Sequence, residues 1–211
     1  MNNHSVFQRP GFSARVVPVI VITDVAQAVP VAQALLDGGI DVMEITLRHS
    51  AGMAAIEAVA RQVPLMHVGA GTVTRAEDMQ RVLSAGARFA LSPGNSDALV
   101  QAAFDCKLPF IPGVMTPSEV MRARDQGFGL MKLFPAAQAG GLGMLKALAG
   151  PLRDVQFCPT GGITTENMND YLKLPNVAMV GGSWLTPAEA LARGDWALIT
   201  RLAKQAMALV P

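Results

Sequence analysis

The chain alternates between short apolar runs rich in β-branched residues and longer stretches in which apolar positions recur every three or four residues. The first pattern predicts strands buried on both faces, the second predicts amphipathic helices, and their alternation predicts parallel strands joined by crossover helices. Eight strands are expected, over residues 16–22, 42–47, 65–69, 89–92, 108–111, 130–134, 155–158 and 178–180. Helices are expected to start at Asp24, Thr74 and Ser118, whose side chains can accept from the free N–H groups of a first turn. Several are expected to close at Gly38, Gly86 and Gly127, where left-handed geometry is easiest. Five strands run into small-residue turns: GAGT at 69–72, SPG at 92–94, IPG at 111–113, PTGG at 159–162 and VGGS at 180–183. Eight nearly even units without a linker predict one domain over residues 1–211, an α/β fold closed as a single (β/α)8 TIM barrel rather than an open doubly wound sheet. Residues 1–14 read as an N-terminal arm or a capping helix.

Side chains alternate between the two faces of a strand, so residues two apart share a face. In DVMEITLR, residues 41–48, Glu44, Thr46 and Arg48 fall on one parity and Met43, Ile45 and Leu47 on the other. The apolar set must face the helices, which aims Glu44 at the interior, and Arg48 too if the strand extends that far. In GFGLMKLFPA, residues 127–136, Lys132 shares a face with Leu130 and Phe134, opposite Met131 and Leu133. Both faces are apolar, so exposure does not explain this lysine, one of five in the chain.

Two readings stand. Lys132 and Glu44 can form a structural ion pair, although such pairs are often no more stabilising than apolar replacements. Alternatively, Lys132 is a nucleophile. A free lysine amine has a pKa near 10.4, so only on the order of one molecule in a thousand is unprotonated at neutral pH. Burial beside a second cation, here Arg48, would disfavour the ammonium and free the amine to attack a ketone. The resulting iminium is an electron sink, and Glu44 is the inward carboxylate able to remove and return protons. Arg48 would hold an anionic end of the substrate, because its planar fork matches a carboxylate.

Composition narrows the partners. The 211 residues are 51% hydrophobic and 16% charged, with a net charge of +1. No basic run interleaved with aromatics suggests nucleic acid or an anionic membrane surface, and no apolar run approaches the roughly 20 residues a membrane span needs. Small molecules or further copies of the chain are the expected partners. Cys106 and Cys158 show no recognisable pairing, and no secretion signal is evident, so a reduced, cytoplasmic protein is expected. His4, His49 and His67 are scattered, giving no metal-ligand spacing and no expected metal or other cofactor. At the rim, PTGGIT (159–164) and VGGSW (180–184) follow the seventh and eighth strands, where backbone N–H groups in such barrels bind phosphate. Gly161, Gly162 and Gly182 would supply backbone donors and Ser183 a hydroxyl. A sugar-phosphate epimerase or isomerase, or a catalytically silent phosphometabolite-binding module, would share that rim but need no enclosed amine.

In order, VVPVIVI, EITLR, GAGTV, SPG, IPG, MKLFPA, CPTGGI and GGSWL closely resemble the 2-keto-3-deoxy-6-phosphogluconate (KDPG) aldolases. Members of that family often also act as 4-hydroxy-2-oxoglutarate (KHG) aldolases. The likeness runs from Arg15 to Trp184 and beyond. It implies a (β/α)8 barrel, a homotrimer, and class I cleavage of a phosphorylated 2-keto acid to pyruvate and glyceraldehyde 3-phosphate, without metal. It further implies that Lys132 forms the Schiff base and Glu44 is the acid/base, while Arg48 and Thr72 grip the pyruvyl carboxylate. Phe134 would pack beside the reacting carbon, Thr160 would contact a substrate hydroxyl, and Gly161, Gly162, Gly182 and Ser183 would take the phosphate. One departure is visible: family members often carry an acidic residue after Phe-Pro-Ala, where this chain has Ala137.

Overall fold

The computed structural model describes residues 11–210. Most of the expected arm at 1–14 lies outside the described residues. Of its last part, Phe12 and Ala14 are buried, and Asp41 accepts hydrogen bonds from the Ser13 N–H at 2.8 Å, the Ser13 hydroxyl at 2.9 Å and the Ala14 N–H at 3.0 Å. Burial pushes the Asp41 carboxyl up, but these hydrogen bonds outweigh it and hold the group below the usual aspartate value.

Strands and helices alternate along the chain: β1 Val16–Ile20, α1 Ala28–Asp37, β2 Val42–Thr46, α2 Gly52–Gln62, β3 His67–Gly71, α3 Ala76–Ser84, β4 Ala90–Leu91 and α4 Asp97–Cys106. There follow β5 Phe110–Ile111, β6 Gly113–Val114, α5 Pro117–Asp125, β7 Leu130–Leu133, α6 Gly141–Ala149, β8 Gln156–Pro159, α7 Met168–Leu172, β9 Val180–Gly182, α8 Ala188–Arg193 and α9 Trp196–Leu209. Every strand pair is parallel. The curled sheet falls into two parts, one of six strands in the order β5-β4-β3-β2-β1-β9 and one of three in the order β6-β7-β8.

Among the described residues nine strands are found where eight were expected, and their ladders break at two places. The fifth strand is split at Pro112, which has no N–H to contribute to a ladder. Its first half pairs with β4 and its second with β7, and the Pro112 carbonyl still accepts from the Lys132 N–H at 2.9 Å. Between β8 and β9 there are only the isolated bridges Phe157↔Val177 and Thr160↔Gly181. The glycines of GAGT, IPG and VGGS also lie inside strands rather than after them: Gly69 and Gly71 in β3, Gly113 in β6, Gly181 and Gly182 in β9.

Helix starts differ by a residue or two. Before α5 the cap is Thr116, not Ser118. The Glu119 N–H donates to the Thr116 hydroxyl at 3.3 Å, and the Glu119 carboxylate accepts from the N–H groups of Met115 and Thr116 at 2.7 and 2.8 Å. Arg75, not Thr74, precedes α3, and Asp24 caps a single 3-10 turn, Val25–Gln27, ahead of α1. At the end of α1, Gly38 keeps a helical φ of −87° and the next residue, Gly39, takes the left-handed geometry at +87°.

Strand parity separates the faces of β2 and β7 as expected. Met43, Ile45, Met131 and Leu133 are fully buried and join Val31, Leu35, Ile56 and Val59 of the helices in one apolar core. Glu44, Thr46 and Lys132 are buried as well, on the opposite parity. The Phe110 side chain is buried, edge-on to Phe128 with ring centroids 5.8 Å apart.

Candidate active site

β2 delivers Glu44 and β7 delivers Lys132 from the two separate parts of the sheet, and their side chains meet. Lys132 Nζ donates to Glu44 Oε1 at 3.0 Å and to Oε2 at 3.3 Å, with side-chain exposures of 4% and 1%. A pair enclosed to this degree is desolvated and needs its partner close. Arg48 was expected beside the amine; the charge found in contact with it is the Glu44 carboxylate. Lys132 Nζ also lies 5.3 Å from the centre of the Phe134 ring, within reach of its negative face.

The neighbouring strand leaves room for the carboxylate. Gly71 ends β3 beside β2, and a Cβ built there would overlap Glu44 Oε1, Cγ and Cδ. Thr46 is anchored below by its hydroxyl, which donates to the Ile20 carbonyl at 3.1 Å.

Arg48 lies beyond the end of β2, in the turn that follows, so strand parity does not carry to it. It is exposed, and its Nε donates to Thr72 Oγ1 at 3.4 Å. Thr72 holds a positive φ of 59°, unusual for a β-branched residue, directly after β3. The pair thus sits at the mouth above Glu44.

A cavity of about 480 Å³ opens at the C-terminal ends of the strands. Of the residues singled out from sequence, Arg48, Phe134, Thr160, Gly161, Gly162, Gly182 and Ser183 line it. Lys132 meets it through Phe134, and Thr72 through Arg48. Gly161 and Gly162 have φ of 98° and 80°, a conformation glycine alone adopts easily, and the loop is braced where Asn167 Nδ2 donates to the Gly162 carbonyl at 2.9 Å. Two successive left-handed residues cannot continue a strand, and they turn the backbone around the rim.

The remaining walls are Val19, Val21, Ile163, Thr186, Pro187, Ala188 and Leu191. None of these was singled out from sequence: Val19 and Val21 share a parity in VVPVIVI that could have found them, whereas those after residue 185 depend on how the chain turns after β9. Among the described residues no group of three or more His, Cys, Asp or Glu side chains could hold a metal ion, and no helix is long and apolar enough to cross a membrane. His67 packs toward β2, its ring nitrogen 3.2 Å from the Asp41 carbonyl.

Comparison with known proteins gives the same family as the motifs. The family profile for KDPG and KHG aldolases matches residues 12–202. A 2-dehydro-3-deoxy-phosphogluconate aldolase of Pseudoalteromonas atlantica is 51% identical over 193 residues, covering 92% of this chain and 90% of that one. A KHG/KDPG aldolase of Escherichia coli is 49% identical over 192 residues, covering 91% and 90%. Among solved structures, the KDPG aldolase of Legionella pneumophila, with pyruvate captured as a covalent carbinolamine, superposes with a TM-score of 0.90 at 46% identity, covering 93% of this chain and 97% of that one. On the profile match and these identities, the chain belongs to the KDPG and KHG aldolase family.

Proposed function

We propose that this chain is a class I aldolase that cleaves KDPG to pyruvate and glyceraldehyde 3-phosphate, with Lys132 as nucleophile and Glu44 as acid/base. The observation that carries it is the enclosed Lys132–Glu44 contact at 3.0 Å beside a cavity lined by Gly161, Gly162, Gly182 and Ser183. Transfer of a proton from Nζ to the carboxylate leaves a neutral amine, whose lone pair attacks the substrate's C2 carbonyl. The carbinolamine loses water to give an iminium. Glu44, again as carboxylate, takes the proton of the C4 hydroxyl. The C3–C4 bond then breaks, its electrons flow into the enamine, and glyceraldehyde 3-phosphate leaves. Protonation of the enamine at C3 and hydrolysis of the iminium release pyruvate and restore the amine.

The other groups fit around that sequence. Arg48, steadied by Thr72, faces the carboxylate end; Phe134 packs beside the reacting carbon; Thr160 meets a substrate hydroxyl; and Gly161, Gly162, Gly182 and Ser183 take the phosphate. The carboxylate end is common to KDPG and KHG, and the Escherichia coli relative carries both names, which favours a second activity that splits KHG to pyruvate and glyoxylate. The reading includes one domain over residues 1–211, a cytoplasmic homotrimer, no metal or other cofactor, and closure of the two sheet parts into one (β/α)8 barrel. The bridge Thr160↔Gly181 and the continuity of chain through Pro112 favour closure.

An assay that follows pyruvate release tests the reading. The wild-type chain is expected to turn over KDPG, and Lys132→Met to fall to background while Arg48→Ala keeps a residual rate with a raised KM. A Lys132→Met variant that still releases pyruvate would contradict it and return the site to the isomerase or silent-module readings.

A further inference from the structure

One polar group in the cavity wall has no part in that sequence. Thr186 lies in the turn after β9, where its N–H donates to the Ser183 carbonyl at 3.2 Å. A bond between residues three apart closes a turn whose ends lie within about 7 Å of each other, so Thr186 stands close to Ser183. The residue lines the cavity and is only 5% exposed. Its hydroxyl is fully enclosed and has no hydrogen-bond partner among the described residues.

An enclosed hydroxyl without a partner weakens the folded state, and a group of the same shape without it would not. A binding site that holds such a hydroxyl in its wall keeps a donor in reserve for what enters. Rotation about the Thr Cα–Cβ bond carries the hydroxyl among three staggered positions. Thr186 lines the same cavity as Gly161, Gly162, Gly182 and Ser183, so such a rotation can bring the donor to that rim. A phosphate there offers three charged oxygens, more acceptors than an unphosphorylated keto acid brings to the same place.

We infer that Thr186 is a specificity-determining residue whose hydroxyl donates to the substrate phosphate and favours phosphorylated over unphosphorylated keto acids. This rests on the aldolase reading of the site. For Thr186→Val, the KM for KDPG is expected to rise about five- to tenfold with kcat within about twofold, as for a charge-assisted hydrogen bond lost from binding. Cleavage of unphosphorylated KHG should be unchanged, and the variant's melting temperature should equal or exceed that of wild type, since the unpaired hydroxyl is gone. Thr186→Ser should behave as wild type. Inorganic phosphate, which needs no turnover, should raise the melting temperature of wild type more than that of Thr186→Val. An unchanged KM for KDPG, an equal loss on both substrates, or identical shifts with phosphate would overturn the assignment. Failure of the aldolase reading looks different: wild type would then cleave neither substrate, whatever the two chains do with phosphate.

Discussion

Lys132 and Glu44 stabilise each other only as a pair. Removing one member leaves an uncompensated charge in the interior, which typically costs about 3–5 kcal/mol, whereas removing both leaves none. Chemical denaturation is therefore expected to show Lys132→Met and Glu44→Gln each destabilised, with the double variant recovering most of the loss. Additive losses would mean that the two groups are not coupled. On catalysis, Glu44→Gln should lower kcat by about 10²–10⁴, the range for a positioned acid/base. Gly71→Ala should also slow turnover, because its methyl would occupy the space of the Glu44 carboxylate. A fully active Gly71→Ala would show that the carboxylate can move without penalty. At this scale the two central residues were legible because a strand's period of two separates Glu44 and Lys132 from apolar neighbours. Parity does not extend to Arg48, since the chain turns at Leu47. Thr186 was invisible: in sequence, a threonine before a proline reads as any loop residue, and its unpaired hydroxyl exists only in three dimensions.

Helix starts differ from the expected caps, and α5 shows why. Thr116 and Ser118 are both good capping types, but only Thr116 stands three residues before a glutamate, the spacing that lets each satisfy the other's backbone. That spacing was in the sequence and decides the cap. Thr116→Ala is expected to destabilise the chain by about 1 kcal/mol in a denaturation midpoint measurement. The same motif sets a pH dependence. Hydrogen bonds from the Met115 N–H, and then Thr116, hold the Glu119 carboxyl below the usual glutamate value against the opposing effect of burial. Because the folded value lies below the unfolded one, the stabilisation is complete above the unfolded pKa of about 4.3 and disappears as pH falls through the folded value. Glu119→Gln should therefore be less stable than wild type at neutral pH, and the difference should shrink in acid. A difference that grew in acid would contradict the sign. Pro112 is the other lesson at this scale. An apolar run reads as one strand, yet a residue without an N–H divides the ladder, and nothing in hydrophobic periodicity records that.

For the molecule as a whole, alternation of strand and helix was enough to expect a parallel sheet covered by helices, and the order of glycine-rich strand ends was enough to expect chemistry on one side of it. How the sheet divides was not legible, because ring closure depends on a few backbone bonds around Pro112 and Thr160 rather than on pattern. What the fold accomplishes is an encounter: residues 88 apart in sequence, on different parts of the sheet, are brought within 3.0 Å in a nearly dry interior. A cavity rimmed by Gly161, Gly162 and Ser183 opens next to them. The central claim is that the amine in this encounter becomes a nucleophile toward a keto acid, and reductive trapping tests it most directly. Incubated with pyruvate and borohydride, the chain should gain the mass of one reduced pyruvyl group, and peptide mapping should place it on Lys132. An unchanged mass, or an adduct on any other lysine, would contradict the account.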